Sequence, residues 1–187
     1  MHLYVGLIVV GFGLLLIGCS VTDRSPGDAQ NASAEPPALQ ERTELIPPGA
    51  PAPDFELADQ TGAAFRLADC RGRPVVLVFY PKDFTPVCTK QLCTIRNDWE
   101  QFRTRGVVVV GVNPGTAEDH RRFVERYELP FRILVDAQQR VAAAYGCKGA
   151  GGTPQRTVYA INAKGVVVFA ERGMPATTRV LTAVDGR

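Results

Sequence analysis

The chain has 187 residues, 45% of them hydrophobic and 21% charged, with a formal net charge of +2. That composition suits one globular domain with room for extensions and excludes a wholly disordered chain. The densest basic groups, Arg103-Thr104-Arg105 and Arg121-Arg122, are too short and scattered for the basic stripe of a nucleic-acid binder.

From Leu3 to Gly18 runs an uncharged apolar stretch of about sixteen residues, short of the roughly 20 that a spanning helix needs. It reads as the core of a secretory signal, although Met1-His2-Leu3-Tyr4 ahead of it has no Lys or Arg. The run ends in Leu16-Ile17-Gly18-Cys19, which resembles the lipobox of bacterial lipoproteins. That resemblance implies loss of residues 1–18, a lipid on Cys19, and an extracytoplasmic domain anchored to the bacterial membrane, on the periplasmic side in a Gram-negative cell. Ser20 rather than Asp after the lipidated cysteine points towards an outer membrane. An uncleaved anchor, or a start within a longer signal, are competing readings that also place the domain outside the cytoplasm. Residues 19–49 are rich in Ser, Asp, Ala, Pro and Glu, and read as a disordered tether that cannot bury enough apolar surface to fold.

From about residue 50 to 187 the texture is that of an α/β domain. Phe55 to Leu57 and Phe65 to Leu67, around Asp59-Gln60-Thr61-Gly62, predict an N-terminal β-hairpin. Pro74 to Tyr80 and Val107 to Val112 are nearly all apolar, as strands buried on both faces should be. Between them a helix is expected from Thr85 to about Arg105, with Leu92, Ile95, Trp99 and Phe102 inward at spacings of three or four. A second helix follows from about Thr116 to Glu128. Then come a strand over 131–135, a short helix over 140–145, a hairpin of 157–161 with 166–170, and a last helix over 177–183. In that order the elements make a thioredoxin-like fold, a central mixed sheet flanked by helices.

Two cysteines mark the chemistry. Pro86 suits the first helical position and Thr85 ahead of it can cap the free backbone donors. Cys88 then lies in the first turn, where the macrodipole and unpaired N–H groups favour an anion, so it is a candidate nucleophilic thiolate. Cys93 stands five residues on. In a helix that spacing separates the Cα atoms by about 8.7 Å, whereas a disulfide takes about 4.4 to 6.8 Å. A bond between them requires local unwinding, which suits a catalytic cycle better than a static staple; two unrelated cysteines on one helix is the other reading.

The stretch Phe79-Tyr80-Pro81-Lys82-Asp83-Phe84-Thr85-Pro86-Val87-Cys88, continuing to Cys93, resembles the peroxiredoxins of the AhpC/TSA family, whose pattern is P-x-x-x-T-x-x-C. The second cysteine resembles the bacterioferritin-comigratory, or Q-type, subfamily. Arg96 with Asp98, His120 to Phe123, Leu129-Pro130-Phe131, Leu134-Val135-Asp136, Tyr145-Gly146 and Arg156-Thr157 extend the likeness over about residues 50–172. The resemblance implies a thiol-dependent peroxidase acting on hydrogen peroxide and organic hydroperoxides. Cys88 would be the peroxidatic cysteine and Cys93 the resolving one. Thr85 would offer its hydroxyl to thiolate and peroxide, Pro81 would shield the sulfur, and Arg156 would stabilise the thiolate and the departing oxygen. It implies no haem, flavin or metal, an external thioredoxin-like dithiol as reductant, and a monomer. Val87 departs from the subfamily's frequent glycine.

Other residues take plainer readings. Cys70 and Cys147 are expected to pack in the core, with Cys147 a lesser candidate for resolution. His120, on a charged helix, is expected to be solvated, and Gly152-Thr153-Pro154 to be a loop turn. Two further functions stand beside the peroxidase. A thiol-disulfide oxidoreductase would want a C-x-x-C, which is absent from the chain. A copper-delivery lipoprotein would want a closer cysteine pair and a histidine near the late strand, where Arg156 stands instead.

Overall fold

The computed structural model describes residues 39–186. The expected signal at 1–18, the lipidation site Cys19, and the tether as far as residue 38 lie outside the described residues. A five-stranded mixed sheet in the order β5-β4-β3-β6-β7 forms the centre. Its strands are β3 (Val75–Phe79), β4 (Val108–Asn113), β5 (Arg132–Val135), β6 (Thr157–Ile161) and β7 (Val167–Arg172), while β1 (Glu56–Ala58) and β2 (Ala64–Arg66) make the separate hairpin. β3 pairs in parallel with β4 and antiparallel with β6, so the most apolar strand takes the middle. It is buried along its whole length, which is why it reads as a continuous apolar run rather than an alternating one.

Period-two alternation sends successive β3 side chains to opposite faces. Val75, Leu77 and Phe79 join one core with Tyr145, Tyr159, Leu134 and α4 (Arg140–Ala144). Val76, Val78 and Tyr80 join the other, with Cys88, Leu92 and Ile95 of α1 (Pro86–Asn97), Phe102 of α2 (Trp99–Arg103), Phe123 of α3 (Ala117–Tyr127), and Val180 and Leu181 of α5 (Thr177–Val184). The sheet is thus covered on both faces, and the candidate site belongs to the four-helix side.

Three local expectations are corrected. The helix expected from Thr85 to Arg105 breaks at Asp98, which ends α1 at φ −90°, ψ 7° and accepts from the Gln101 amide on its backbone carbonyl. Short polar side chains such as Asn97 and Asp98 compete with helical hydrogen bonding, and the break falls on them. A 3-10 turn over Leu67–Cys70, not expected, follows β2.

The third correction concerns the tether, because the packed chain begins before residue 50. Ile46 is 2% exposed, Leu39 and Leu45 pack on the same core, and the Ile46 amide donates to the Tyr159 hydroxyl at 3.0 Å. The Arg42 amide donates to Ala143 O at 2.9 Å and the Gly49 amide to Val167 O at 2.8 Å. Three apolar side chains diluted among Pro and Glu suffice to dock the segment, a signal that average composition hides.

Candidate active site

β6 lies antiparallel beside β3, with Thr157 opposite Phe79. That register sets the residue before β6, Arg156, beside the loop that leaves β3, and the loop leads into α1. Pro86 occupies the first helical turn, where a missing N–H costs nothing. Cys88 follows in that turn, 1% exposed and packed with the four-helix core. Arg156 Nη1 stands 3.4 Å from Cys88 Sγ and donates to Gln91 Oε1 at 3.0 Å. One guanidinium therefore holds the sulfur and the next turn of the same helix together. An always-charged donor at a helix N-terminus favours a thiolate and any negative charge that develops beside it. Gln91 was not anticipated, although its position three residues after Cys88, on the same helix face, was the available signal.

Cys93 sits further along α1, half-buried and with a free thiol. Since α1 is continuous from Pro86 to Asn97, the two cysteines keep their helical separation of about 8.7 Å between Cα atoms. They cannot bond in this conformation.

Thr85 is the N-cap residue, with extended backbone at φ −84°, ψ 144°, but its side chain makes no cap hydrogen bond. The expected cap is replaced by a turn: the Thr85 hydroxyl donates to the Lys82 carbonyl at 3.2 Å. The reason lies next door, where Phe84 adopts φ 57°, a left-handed conformation costly for a bulky residue. Its ring is 48% exposed yet packs edge-on against Phe123, centroids 5.0 Å apart, and near Tyr127 at 6.2 Å. Pro81, half-buried, opens the same loop.

His120 is not solvated as expected. It is fully buried, with Nδ1 2.6 Å from Asp83 Oδ2. Asp83, also buried, accepts on Oδ1 from the Tyr80 hydroxyl at 2.7 Å and from Asn113 Nδ2 at 3.0 Å. Burial first, and the Asp83 charge second, push the Tyr80 hydroxyl well above its ordinary range, so it remains a donor. The charged residues around His120 in sequence occupy the outer face of α3 in i,i+3 pairs, Arg121 with Glu118 and Arg122 with Asp119, and the histidine takes the inner one.

The remaining thiols are buried, as expected. Burial raises the Cys147 thiol to about 12 and Cys70 in the same direction, so neither is an anion at neutral pH. Pro154 bridges to Lys148 and closes a plain turn at Gly152-Thr153-Pro154.

Known proteins are similar to this chain in sequence and fold. The chain is 41% identical over 123 residues to the chloroplastic peroxiredoxin Q of Oryza sativa subsp. japonica, covering 65% of this chain and 57% of that one. It is 42% identical over 97 residues to peroxiredoxin Bcp of Bacillus subtilis strain 168, covering 52% and 62% respectively. The chain thus spans less than two thirds of the length of these curated relatives. The crystal structure of peroxidoxin BcpB from Mycobacterium tuberculosis superposes with a TM-score of 0.70 at 31% identity, over 75% of this chain and 97% of that one. Residues 48–170 match the AhpC/TSA family, from the segment that docks before β1 to the middle of β7. A thioredoxin-like fold with Cys88 at the start of α1 and Arg156 beside it therefore places the chain in the AhpC/TSA family, among relatives of the peroxiredoxin Q and Bcp type.

Proposed function

We propose that the protein is a thiol-dependent peroxidase that reduces hydrogen peroxide and organic hydroperoxides, with Cys88 as peroxidatic and Cys93 as resolving cysteine. The observation that carries the reading is the contact of Arg156 with a cysteine in the first turn of α1. The Cys88 thiolate takes the outer peroxide oxygen, the O–O bond breaks, and the departing alkoxide or hydroxide collects a proton. Arg156 stabilises the negative charge as it passes from sulfur to oxygen. Thr85, released from the Lys82 carbonyl, turns its hydroxyl to the substrate, and Pro81 covers the sulfur. Cys88 is left as a sulfenic acid. The Cys93 thiol then attacks that sulfur after α1 unwinds, a disulfide forms, and the oxygen leaves as water. An external thioredoxin-like dithiol returns both thiols and becomes a disulfide itself.

The test is stopped-flow oxidation of the reduced protein by hydrogen peroxide, followed by Trp99 fluorescence. A rapid change that Cys88→Ser abolishes, with sulfenic acid trapped in Cys93→Ser, supports the two-cysteine peroxidase. A wild type no faster than a free thiol refutes it. The copper-delivery reading gains nothing from the site, since His120, the one histidine among the described residues, is fully buried on α3, and no cluster of three or more His, Cys, Asp or Glu that could hold a metal stands among those residues. Disulfide exchange gains nothing either, because the start of α1 carries no C-x-x-C.

The lipobox-like Leu16-Ile17-Gly18-Cys19 supports an extracytoplasmic enzyme anchored to the membrane through Cys19, and the family resemblance favours a monomer. Detergent phase partitioning of the expressed chain tests the anchor: wild type enters the detergent phase and Cys19→Ser the aqueous phase. Equal partitioning removes the anchor from the proposal.

A further inference from the structure

Three buried polar side chains converge on one buried carboxylate. Tyr80, Asp83, Asn113 and His120 are each 5% exposed or less. Tyr80 and Asp83 belong to the loop that leaves β3, Asn113 ends β4, and His120 lies on α3. The Asn113 amide is oriented by its own bond, since Oδ1 accepts from the Gly115 amide at 2.6 Å and Nδ2 is left to face Asp83. Asp83 Oδ1 thus takes two donors and Oδ2 takes His120 Nδ1 at 2.6 Å. The imidazole is held on that nitrogen alone, for Nε2 finds no partner among the described residues. Gly115 lies against the ring so closely that a Cβ there would stand 2.7 Å from His120 Cε1.

Stability alone does not account for such a cluster. A buried carboxylate carries a desolvation cost that apolar residues of similar volume avoid, and replacing such groups together is often neutral. Position does account for it. Asp83 comes two residues before Thr85 and five before Cys88, directly ahead of the left-handed Phe84. A strained residue persists only where its surroundings over-determine it. Here Asp83, directly ahead of Phe84, is held by His120 of α3, and the Phe84 ring itself packs on Phe123 of the same helix.

Resting on the peroxidase reading, we propose that Asp83 and His120 are positioning residues. Their contact clamps the 80–85 loop to α3 and β4, keeps Cys88 and Thr85 in the reactive arrangement, and sets the balance between resolution and over-oxidation. The folded arrangement reacts with peroxide, first to the sulfenic acid and then, with a second peroxide that leaves as alcohol or water, to the sulfinic acid. The unwound arrangement forms the disulfide with Cys93. Loosening the clamp therefore slows peroxide attack, leaves disulfide formation as fast or faster, and lowers the sulfinic share.

The experiment uses the full chain as wild type, Asp83→Asn, His120→Leu, His120→Asn and Gly115→Ala. Rates of Cys88 oxidation by hydrogen peroxide and of disulfide formation are measured, with the sulfinic share at high peroxide read by intact mass. Asp83→Asn, His120→Leu and Gly115→Ala are expected to slow oxidation by about tenfold or more, as misplacement of reacting groups does, and to yield less sulfinic acid. His120→Asn keeps an N–H donor near the Nδ1 position and is expected to recover most of both. Oxidation rates and sulfinic shares unchanged in the variants that fold, even at a lower melting temperature, overturn the proposal. So does equal loss in His120→Leu and His120→Asn. A wild type that does not react with peroxide fails the peroxidase reading itself, and the clamp falls with it. Should Asp83→Asn not fold, Gly115→Ala and the His120 pair carry the decision.

Discussion

Replacing Arg156 by Gln removes the guanidinium charge that the structure sets beside Cys88. At 3.4 Å two unit charges attract by about 5 kcal/mol at an effective dielectric near 20, an upper bound for a half-buried guanidinium. Loss of one donor from a site of developing negative charge costs about 2.7 to 4 kcal/mol in enzymes of known mechanism. Part of the attraction already acts on the resting thiolate, and only the excess in the transition state lowers the barrier. The lower end applies, so oxidation of Cys88 in Arg156→Gln should be about 100-fold slower than in wild type. Arg156→Lys keeps the charge, but on a compact, more strongly hydrated ammonium at the end of a flexible stem that is less pre-organised against Sγ; it should recover about tenfold of the loss. The assay is stopped-flow oxidation under excess peroxide, read through Trp99, half-buried beside Phe131 at 6.0 Å and just beyond the end of α1. An Arg156→Gln rate within about threefold of wild type would show that the guanidinium does not act on the reacting atoms.

Three further outcomes are expected. Cys93→Ser should turn over no more than once per protein with an external dithiol and accumulate sulfenic then sulfinic Cys88; sustained turnover at the wild-type rate would shift resolution elsewhere. Cys147, raised to about 12 by burial, stays protonated in the fold while the unfolded thiol ionises from about 9 upward, so the fold loses up to ~1.4 kcal/mol per pH unit between those values. Below pH 9 it contributes no such loss, and Cys147→Ala should flatten the alkaline limb of a pH series of urea melts. Ile46→Ala should cost about 2 to 4 kcal/mol in urea denaturation, because the side chain is 2% exposed; a cost near zero would return residues 39–49 to the tether.

Much of the architecture was legible because it is written in local periodicity. Nearly continuous apolar runs at Pro74–Tyr80 and Val107–Val112 mark strands covered on both faces, and Leu92, Ile95 and Phe102 mark the buried face of the helices after the site. Pro86 before Cys88 fixes the thiol in a helix's first turn without reference to the rest of the chain. The five-residue spacing of Cys88 and Cys93 likewise shows, from helix geometry alone, that their bond requires unwinding. What surrounds the thiol is another matter. Arg156 reaches Cys88 across 68 residues because β6 pairs with β3 in one register, and sequence reasoning reached that pairing only through family resemblance. His120 turned inward and Thr85 turned to Lys82, because each side chain follows the nearest satisfied partner rather than the average of its neighbours. Ile46 docked because Tyr159 offered a hydroxyl and the core an apolar surface. Elements arise from the spacing of residues along the chain, whereas side-chain partners arise from strand order, register and burial, which exist only once the chain has packed.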